Sequence, residues 1–403
     1  MAASPTILQI IPQLESGGAE ICTIQIADAI VRAGGTALVA TEGGRLAGDV
    51  TTAGGEIIPM PVASKNPATI LANIGRLRRL VRERDIALID AASRAPAWSG
   101  LAAARRTGIP FVTTFHGAYG ESNRLKRLYN SVMARGDRVI ANSHYTGDLI
   151  TRRYGTEKTR LRIVPRGVDV ARFARPGVAP ERIAALRAEW GVSDQQRIIL
   201  HAARLTSWKG QRIAIEALSA LRAQQGPDSR AVLVMAGDAQ GRDAYVAGLR
   251  EHAATLGVGD HIRLPGHVTD MPAAYATADV TLVASIEPEA FGLTAAEAQA
   301  AASPVITTNI GAPPEIILAP PQVAPDAATG WHVPPNDAAA LANAIFQALA
   351  MDVAAREAMC ARAAASVAQR FTVAEMQRQT LVVYDDLLGT SLAGQFARGL
   401  PQV

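Results

Sequence analysis

The sequence predicts an α/β protein with two doubly wound domains, each built on a mainly parallel sheet. The chain has 403 residues, more than a single hydrophobic core usually supports. Short apolar runs alternate with amphipathic helical stretches, which is typical of βαβ units. This rhythm breaks near 170–195, where a proline-containing linker precedes a helix. We therefore expect domains at 1–175 and 176–375, and a helix at about 376–395 that crosses back to the first domain.

Each half contains six candidate strands, and the loops after them are where functional groups are expected. Ligands of open α/β sheets bind at the carboxyl ends of the strands, so two such halves facing across a cleft would form a binding crevice. The candidate strands are TILQII, TALVAT, ALIDA, PFVTTF, RVIANS and LRIVPRG in the first half, and RIILHAAR, AVLVMAGD, HIRLPG, DVTLVAS, SPVITT and GWHVPP in the second.

Composition favours a cytoplasmic protein, with peripheral membrane contact as a further possibility. Hydrophobic residues make up 49% and charged residues 19% of the chain, and no run approaches the ~18 apolar residues of a membrane span. The start lacks the basic region of a signal peptide. The two cysteines, Cys22 and Cys360, lie in apolar helical patterns and are predicted to be buried and unpaired.

The loop ESGGAE after the first strand is a candidate phosphate-binding turn. Gly17 and Gly18 open a helix, and glycines there let backbone N–H groups approach an anion at the positive end of the helix dipole. The alternative is an ordinary tight turn. The pattern lacks the full G-x-G-x-x-G fingerprint, which disfavours a nicotinamide enzyme.

The loop RLTSWKG in the second half is a candidate diphosphate site. Arg204 and Lys209 lie just before a helix, where cations oppose the helix dipole at a cost of about 0.3–1 kcal/mol each unless an anion is present. The alternative is a solvated surface pair.

The stretch EPEAFGLTAAEA is the most informative in the sequence. The turn around Phe291 leads into a helix at Gly292 and Leu293, whose first N–H groups are free to bind phosphate or sugar oxygens. Glu297 lies inside the helix, where a carboxylate can accept the two hydroxyls of a ribose. Glu289 would reach the hydroxyls of a bound sugar. The alternative is that both glutamates are exposed acids near the helix start.

His116, in TTFHGAYG, stands at the end of a predicted strand. This placement makes it a candidate catalytic group, with a structural histidine as the alternative. No H-x-x-E-H, C-x-x-C or aspartate cluster predicts a metal site.

Six motifs, ESGGAE, TFHG, VPRGVD, RLTSWKG, PEAFGLTAAEA and GWHVPP, occur in the order and spacing of the retaining glycosyltransferases of family 4. The chain resembles this family over nearly its whole length, and the resemblance implies the two-domain GT-B fold. It implies a nucleotide-sugar donor, UDP-sugar or GDP-sugar, transfer with retention, and no cofactor or bound metal. The first domain would bind the acceptor and the second the donor.

The resemblance also implies roles for individual residues. Gly17 and Gly18 would approach the donor diphosphate, Arg204 and Lys209 would neutralise it as it leaves, and Glu297 would hold the ribose. Glu289 would bind the sugar, Phe291, Gly292 and Leu293 would complete the donor pocket, and His116 would lie near the sugar and the acceptor hydroxyl. The chain departs from the family pattern at Arg166, where Asn is common, and at Ala302 and Ala312, where Gly is common.

Positive charge is concentrated in the first half of the chain. Residues 1–180 hold 24 Lys and Arg against 14 Asp and Glu, and the remainder holds 16 against 22. This surplus predicts contact with an anionic membrane or a lipid-linked anionic glycan; the alternative is a solvated face, and nucleic acid is disfavoured because few aromatics interleave. The basic residues are Arg76, Arg78, Arg79, Arg82 and Arg84, then Arg105, Arg106, Arg124, Lys126, Arg127, Arg152 and Arg153.

The leading interpretation is a hexosyltransferase that acts on a glycolipid or polysaccharide precursor, such as lipopolysaccharide core, as a monomer or weak dimer. Three alternatives remain open. A sugar-nucleotide epimerase would convert the donor without an acceptor, a glycoside hydrolase would use Glu289 and Glu297 as its carboxylate pair, and a non-catalytic protein would only bind the nucleotide sugar.

Overall fold

The computed structural model describes residues 4–15, 17–120, 123–226 and 229–400. Its strands form two sheets, one of seven strands and one of six. The strands are β1 Thr6–Ile10, β2 Thr36–Thr41, β3 Glu56–Pro59, β4 Ile86–Ala91, β5 Phe111–Phe115, β6 Arg138–Ala141, β7 Leu161–Ile163, β8 Arg197–Ala202, β9 Ala231–Ala236, β10 Ile262–Gly266, β11 Val280–Val283, β12 Val305–Thr308 and β13 Trp331–Val333.

Helices connect the strands within each sheet. The α-helices are α1 Gly18–Arg32, α2 Ala47–Thr52, α3 Pro67–Glu83, α4 Arg94–Thr107, α5 Arg124–Asn130, α6 His144–Tyr154, α7 Val170–Phe173, α8 Pro180–Glu189, α9 Gln211–Gln225, α10 Asp243–Thr255, α11 Met271–Thr277, α12 Leu293–Ala300, α13 Pro313–Ile316, α14 Ala338–Ala350, α15 Val353–Arg370, α16 Val373–Leu388 and α17 Leu392–Arg398.

The chain folds into two compact units, 1–167 with 373–403, and 168–372. The second unit therefore begins before residue 176, where the second domain was expected to begin. The reason is a long-range contact, since the Val168 N–H donates to the Phe371 carbonyl at 2.7 Å and Val168 packs in the second unit's core. The predicted helix at about 376–395 is two helices, because Gly389 takes a left-handed conformation (φ 65°) that ends α16.

The sheet of the first unit runs in the order β3-β2-β1-β4-β5-β6-β7, with every pair parallel. Successive strand residues face opposite helical layers, so Ile7 packs in one hydrophobic cluster and Leu8 in another. β3 is not among the strands predicted from the sequence. This strand is a short edge that ends in Pro59 and is only partly buried, so its apolar signal is weak.

The sheet of the second unit runs in the order β10-β9-β8-β11-β12-β13 and is also fully parallel. Ile198 and Leu200 pack on one face and Ile199 on the other, so apolar side chains are buried on both faces, as in doubly wound sheets. All six strands predicted for this half are present. The predicted fold class is therefore confirmed.

Among the described residues, no single helix has the length and apolar character of a membrane span. The bent pair Ala338–Ala350 and Val353–Arg370, with 111° between its helices, meets those criteria only when the two are taken together.

Candidate functional site

The strand order of the second sheet indicates that two of its loops form a ligand site. Strand order reverses between β8 and β11, which are neighbours, and ligands of open α/β sheets bind beside the carboxyl ends of the strands at such a reversal. The loop after β8 carries Arg204 and Lys209, and the loop after β11 carries Glu289. The topology thus brings together residues about 80 positions apart in sequence.

Hydrogen bonds fix the backbone around Arg204, while its guanidinium has no described counter-charge. Its carbonyl accepts a hydrogen bond from Gln211 Nε2 at 2.9 Å, and the next N–H, that of Leu205, donates to the Asp238 carbonyl at 3.1 Å. Arg204 is exposed, and no described carboxylate lies within ion-pair distance of it. Arg204 is therefore available to an external anion.

Lys209, in contrast, already has a counter-charge. Its Nζ lies 2.8 Å from Glu289 Oε1, and the two side chains are only 14% and 11% exposed. The Ser285 hydroxyl donates to the same carboxylate oxygen, and Lys209 Nζ lies 4.3 Å from the Trp208 ring centroid. Glu289 therefore compensates Lys209 without an external anion, while the predicted anion at Arg204 stays a prediction.

Two glycines keep these loops close to neighbouring backbone. A Cβ at Gly210, the residue before α9, would lie 1.9 Å from the Ala284 carbonyl oxygen, and Gly210 has φ 79°. A Cβ at Gly311 would lie 2.6 Å from both N and O of Glu289, with φ 74°. Only glycine fits these positions without displacing the chain. The second contact fixes the backbone that presents the Glu289 side chain.

The turn before α12 points open N–H groups away from the helix. Phe291 is 5% exposed and packs edge-on against Phe371, with ring centroids 5.6 Å apart, so its side chain anchors the turn. Gly292 has φ 100°, and Ala295 is the first residue whose N–H donates to the Gly292 carbonyl, at 2.9 Å. The N–H groups of Leu293 and Thr294 therefore have no partner within the helix.

Glu297 is a shielded carboxylate with one oxygen paired. The Tyr275 hydroxyl donates to Glu297 Oε2 at 3.0 Å. Desolvation raises the pKa of Glu297 to about 7, although the Tyr275 hydrogen bond and the charge of Arg172 act against that rise. Oε1 makes no hydrogen bond to a described residue, so it can accept a ligand hydroxyl. Tyr275 was missed in the sequence because nothing marks a tyrosine 22 residues earlier as a partner.

His201 is another buried group near this cluster, and no functional role was expected for it from the sequence. It lies in β8, is 1% exposed, and its Nδ1 has no hydrogen-bond partner among the described residues. Burial, and then the charge of Lys209, lower the pKa of His201 to about 4. The ring is therefore neutral at physiological pH and adds no charge near the Lys209–Glu289 pair.

In the first unit, loops after β1, β5 and β7 carry the remaining candidates. Gly17 precedes α1 and Gly18 is its first residue; Ser16 of the same motif lies outside the described residues. The Glu20 side chain accepts the Gly17 N–H at 2.8 Å and the Glu15 N–H at 2.6 Å. The Glu20 carboxylate thus accepts the Gly17 N–H, and the N–H groups that stay open in this turn belong to the residues after Gly17.

His116 contacts Arg166, one of the three positions at which the chain departs from the pattern of the family that it resembles. Arg166 Nη2 lies 2.6 Å from His116 Nδ1. A guanidinium can only donate, so Nδ1 accepts and the neutral ring carries its hydrogen on Nε2. Burial and then the Arg166 charge hold the pKa of His116 well below its usual value. His116 can therefore donate a hydrogen bond from Nε2, but it is a poor proton acceptor.

A buried polar cluster lies at the end of β4 in the same unit. The Tyr384 hydroxyl, from α16, donates to Asp90 Oδ2 at 2.7 Å, and the Thr114 hydroxyl donates to Asp90 Oδ1 at 3.2 Å. Burial raises the pKa of Asp90 to about 6, and these hydrogen bonds limit the rise. The cluster ties α16 to the first sheet. Cys22 and Cys360 are buried and free, as predicted.

Two family models match successive parts of the chain. The model of glycosyltransferase family 4 matches residues 16–172, and the model of glycosyl transferases group 1 matches residues 183–366. A crystal structure of a glycosyltransferase from Rickettsia africae is 32% identical, with a TM-score of 0.87 over 96% of this chain and 100% of that one. The chain belongs to glycosyltransferase family 4. The resemblance drawn from the six motifs is confirmed.

The names of two further similar proteins include a substrate or ligand. A D-inositol 3-phosphate glycosyltransferase of Salinispora tropica is 31% identical over 71% of this chain. The match spans 61% of that relative's length. The Anabaena protein Alr3699/HepE, solved in complex with UDP-glucose, is 25% identical, with a TM-score of 0.80 over 95% of this chain and 100% of that one.

The structure thus brings together most of the predicted family 4 residues within each unit. Lys209 and Glu289 are in contact, and Arg204 shares their loop cluster. Glu297 lies inside α12, and Gly292 and Leu293 form its start. His116 follows β5 and Gly18 follows β1 in the other unit. No group of three potential metal ligands occurs in the described ranges. The roles assigned to these residues stay predictions.

Proposed function

We propose that the protein is a retaining glycosyltransferase that moves a hexose from a nucleoside diphosphate donor without a bound metal. The cluster at the strand reversal of the second sheet carries this proposal. It offers an uncompensated cation at Arg204, open N–H groups at the start of α12, and a shielded carboxylate at Glu297. This is the set that a diphosphate and a ribose diol require. The UDP-glucose complex of the Anabaena relative favours UDP over GDP.

Each group has a defined part in the proposed transfer. The bond between the anomeric carbon and the donor phosphate oxygen breaks, the acceptor oxygen bonds to the same face, and the acceptor proton passes to the leaving phosphate. Arg204 and the α12 N–H groups stabilise the charge that develops on the diphosphate. Lys209 can join them while it still holds Glu289, because an ammonium has three donors. Glu289 then positions the sugar beside the reacting carbon.

His116 serves the acceptor in this proposal, as a hydrogen-bond donor. Its neutral ring presents Nε2–H, because Arg166 occupies Nδ1. It therefore orients a substrate oxygen and does not abstract the acceptor proton. This fits a mechanism in which the leaving phosphate itself accepts that proton.

The acceptor has two candidate classes. The name of the Salinispora relative favours a phosphorylated polyol such as D-inositol 3-phosphate. The basic surface of the first unit favours a glycolipid or polysaccharide precursor, such as lipopolysaccharide core, presented at an anionic membrane.

Product analysis tests the proposed function. Radiolabelled UDP-glucose is incubated with the protein alone, with D-inositol 3-phosphate, or with lipopolysaccharide core acceptor, and the products are separated by chromatography. Acceptor-dependent transfer with retained anomeric configuration, lost in Arg204→Gln, is the expected result. Epimerised nucleotide sugar in the protein-alone sample would instead identify an epimerase. Binding without turnover of any nucleotide sugar would identify a non-catalytic binding protein.

A basic pocket in the first unit supports the membrane contact. The cavity measures about 810 Å³ and lies at the amino-terminal edge of the sheet, because Asp137 and Arg160 directly precede β6 and β7. Asp137 is the one acidic residue among its described lining residues. The arginines that line it are Arg105, Arg124, Arg127, Arg135, Arg153 and Arg160.

Exposed leucines beside this basic pocket favour an anionic phospholipid surface as its partner. On α5, Leu125 is 78% and Leu128 is 55% exposed, and their i,i+3 spacing places them on one side of the helix. Leucines that enter the interface beside arginines that bind phosphates are typical of peripheral membrane helices. The other basic group, Arg76, Arg79 and Arg82 of α3, forms a solvent-exposed face.

Liposome flotation tests this contact, with vesicles of phosphatidylcholine alone or with phosphatidylglycerol. We expect binding only to the anionic vesicles, weakened by salt and by Leu125→Gln combined with Leu128→Gln. Val353→Gln is the matched control, because Val353 is 71% exposed but lies in the other unit. Equal flotation with both vesicle types, or none at low salt, would rule the contact out.

A further inference from the structure

Arg166 is a buried cation in the loop after β7. It is 8% exposed, and its guanidinium contacts elements that follow two other strands. Nη1 donates to the Gly18 carbonyl at the start of α1, and Nη2 donates to His116 Nδ1 after β5. A Cβ at Gly18 would lie 3.3 Å from Nη1. Three carboxyl-terminal loops of one parallel sheet therefore meet at a single positive charge.

This charge has no counter-charge among the described residues. No described carboxylate forms an ion pair with Arg166, and His116 beside it is neutral. Burial raises the pKa of the Cys22 thiol, so that nearby group is neutral as well. Arginine remains protonated in such surroundings, and an unpaired buried charge costs several kcal/mol. The fold therefore maintains an electrostatic penalty that an anion would remove.

The surrounding donors define what the anion would be. A guanidinium has five N–H groups; two are used by Gly18 and His116, and the other three have no partner among the described residues. Glu20 is the first residue whose N–H donates to the Gly17 carbonyl, at 3.1 Å, which leaves the N–H groups of Gly18 and Ala19 open at the positive end of a 15-residue helix. His116 adds Nε2–H.

We propose that Arg166, with His116 and the start of α1, forms a binding site for a phosphoryl group of the substrate. The fork of a guanidinium and adjacent backbone N–H groups match the several acceptor oxygens of a phosphoryl group. The phosphoryl group belongs either to the donor diphosphate or to a phosphorylated acceptor. The site deepens the proposed function and rests on it for the identity of the substrate. An Asn at this position could not supply the charge.

Calorimetric titration of the full chain tests this site with two probes, UDP and inorganic pyrophosphate. The variants are Arg166→Asn, which removes the charge, and Arg166→Lys, which keeps it. Arg162→Asn is the matched control, since Arg162 lies in β7 of the same unit and pairs with Asp386 at 3.1 Å. We expect Arg166→Asn to weaken phosphate binding at least tenfold, Arg166→Lys to keep most of it, and Arg162→Asn to match the parent.

The two probes distinguish the source of the phosphoryl group. If it belongs to the donor, UDP itself binds at least tenfold more weakly to Arg166→Asn. If it belongs to the acceptor, UDP affinity is unchanged, but pyrophosphate binds to UDP-saturated parent and not to UDP-saturated Arg166→Asn. Equal affinities of parent and Arg166→Asn for both probes would overturn the proposal.

Two further readouts keep the test independent of folding and of the proposed function. If Arg166→Asn does not fold, Arg166→Gln, which also lacks the charge and whose side chain is one methylene longer, replaces it. Imidazole NMR should show the pKa of His116 rising in the uncharged variants, because the neighbouring charge is gone. If UDP does not bind the parent, the proposed function fails, whereas pyrophosphate titration without UDP still decides the role of Arg166.

Discussion

Lowering the pH from 8 to 6 should weaken UDP binding through Glu297. Desolvation raises the pKa of this carboxyl to about 7 in the free protein, so it changes charge within the working range of most enzymes. In the proposed donor site the ionised carboxylate accepts ribose hydroxyls. Protonation removes acceptor capacity and charge, so binding should follow the ionised fraction.

The magnitude follows from the pKa. With a pKa of about 7, roughly 90% of Glu297 is ionised at pH 8 and roughly 10% at pH 6, a ratio of about ten. The corresponding loss of binding free energy is about 1.4 kcal/mol. Tyr275→Phe should move the midpoint upward, because the Tyr275 hydrogen bond lowers the pKa of Glu297, and the buried ring is kept.

Calorimetric titration with UDP at intervals between pH 5.5 and 8.5 measures this effect. UDP has a phosphate group that titrates in the same range, so Glu297→Gln serves as the matched control that retains the ligand's own pH dependence. The difference between parent and Glu297→Gln isolates the carboxyl. Identical pH profiles for the two proteins would refute the assignment of Glu297 to the ribose.

Three further predictions concern stability. Asp90 has a pKa of about 6 against the usual 3.8, so the stability that its protonated carboxyl contributes is full below about pH 4 and is lost as the pH rises through 6. Across that window, urea unfolding should show the free energy of unfolding of the parent falling by up to about 3 kcal/mol relative to Asp90→Asn. Replacing Lys209 or Glu289 alone should lower the free energy of unfolding by about 3 kcal/mol, because each single variant leaves a buried unpaired charge. The double variant Lys209→Met, Glu289→Leu should lose less, and additive losses would contradict this. Gly311→Ala should cost about 1–3 kcal/mol in thermal unfolding and lower turnover, because its Cβ meets the Glu289 backbone; unchanged values would contradict it.

The sequence predicted the fold because doubly wound architecture depends on a coarse pattern. Alternating apolar strands and amphipathic helices are visible without an alignment, and the glycine at 292 and the helix after it follow from local rules. The short edge strand β3 and the boundary at Val168 were not predicted, because each depends on tertiary pairing. Val168 enters the second unit through its hydrogen bond with the Phe371 carbonyl, about 200 residues away.

The candidate site was predictable in its residue types but not in its charge balance. Arg204 and Lys209 looked equivalent in sequence, yet only the strand order brings Glu289 to Lys209 and leaves Arg204 without a counter-charge. Partners such as Tyr275 also carry no local signal. Long-range contacts decide which charges are compensated, and no spacing rule reports them.

Calorimetric titration of UDP without added metal, on parent and Arg204→Gln, tests the central claim most directly. Arg212→Gln is the matched control, because Arg212 is an exposed arginine at the start of α9 in the same unit. We expect UDP to bind the parent and Arg212→Gln alike, and Arg204→Gln at least tenfold more weakly, a difference of about 1.4 kcal/mol or more. Binding of UDP that is equally tight in all three proteins, or no binding of UDP, GDP or ADP to the parent, would contradict the account.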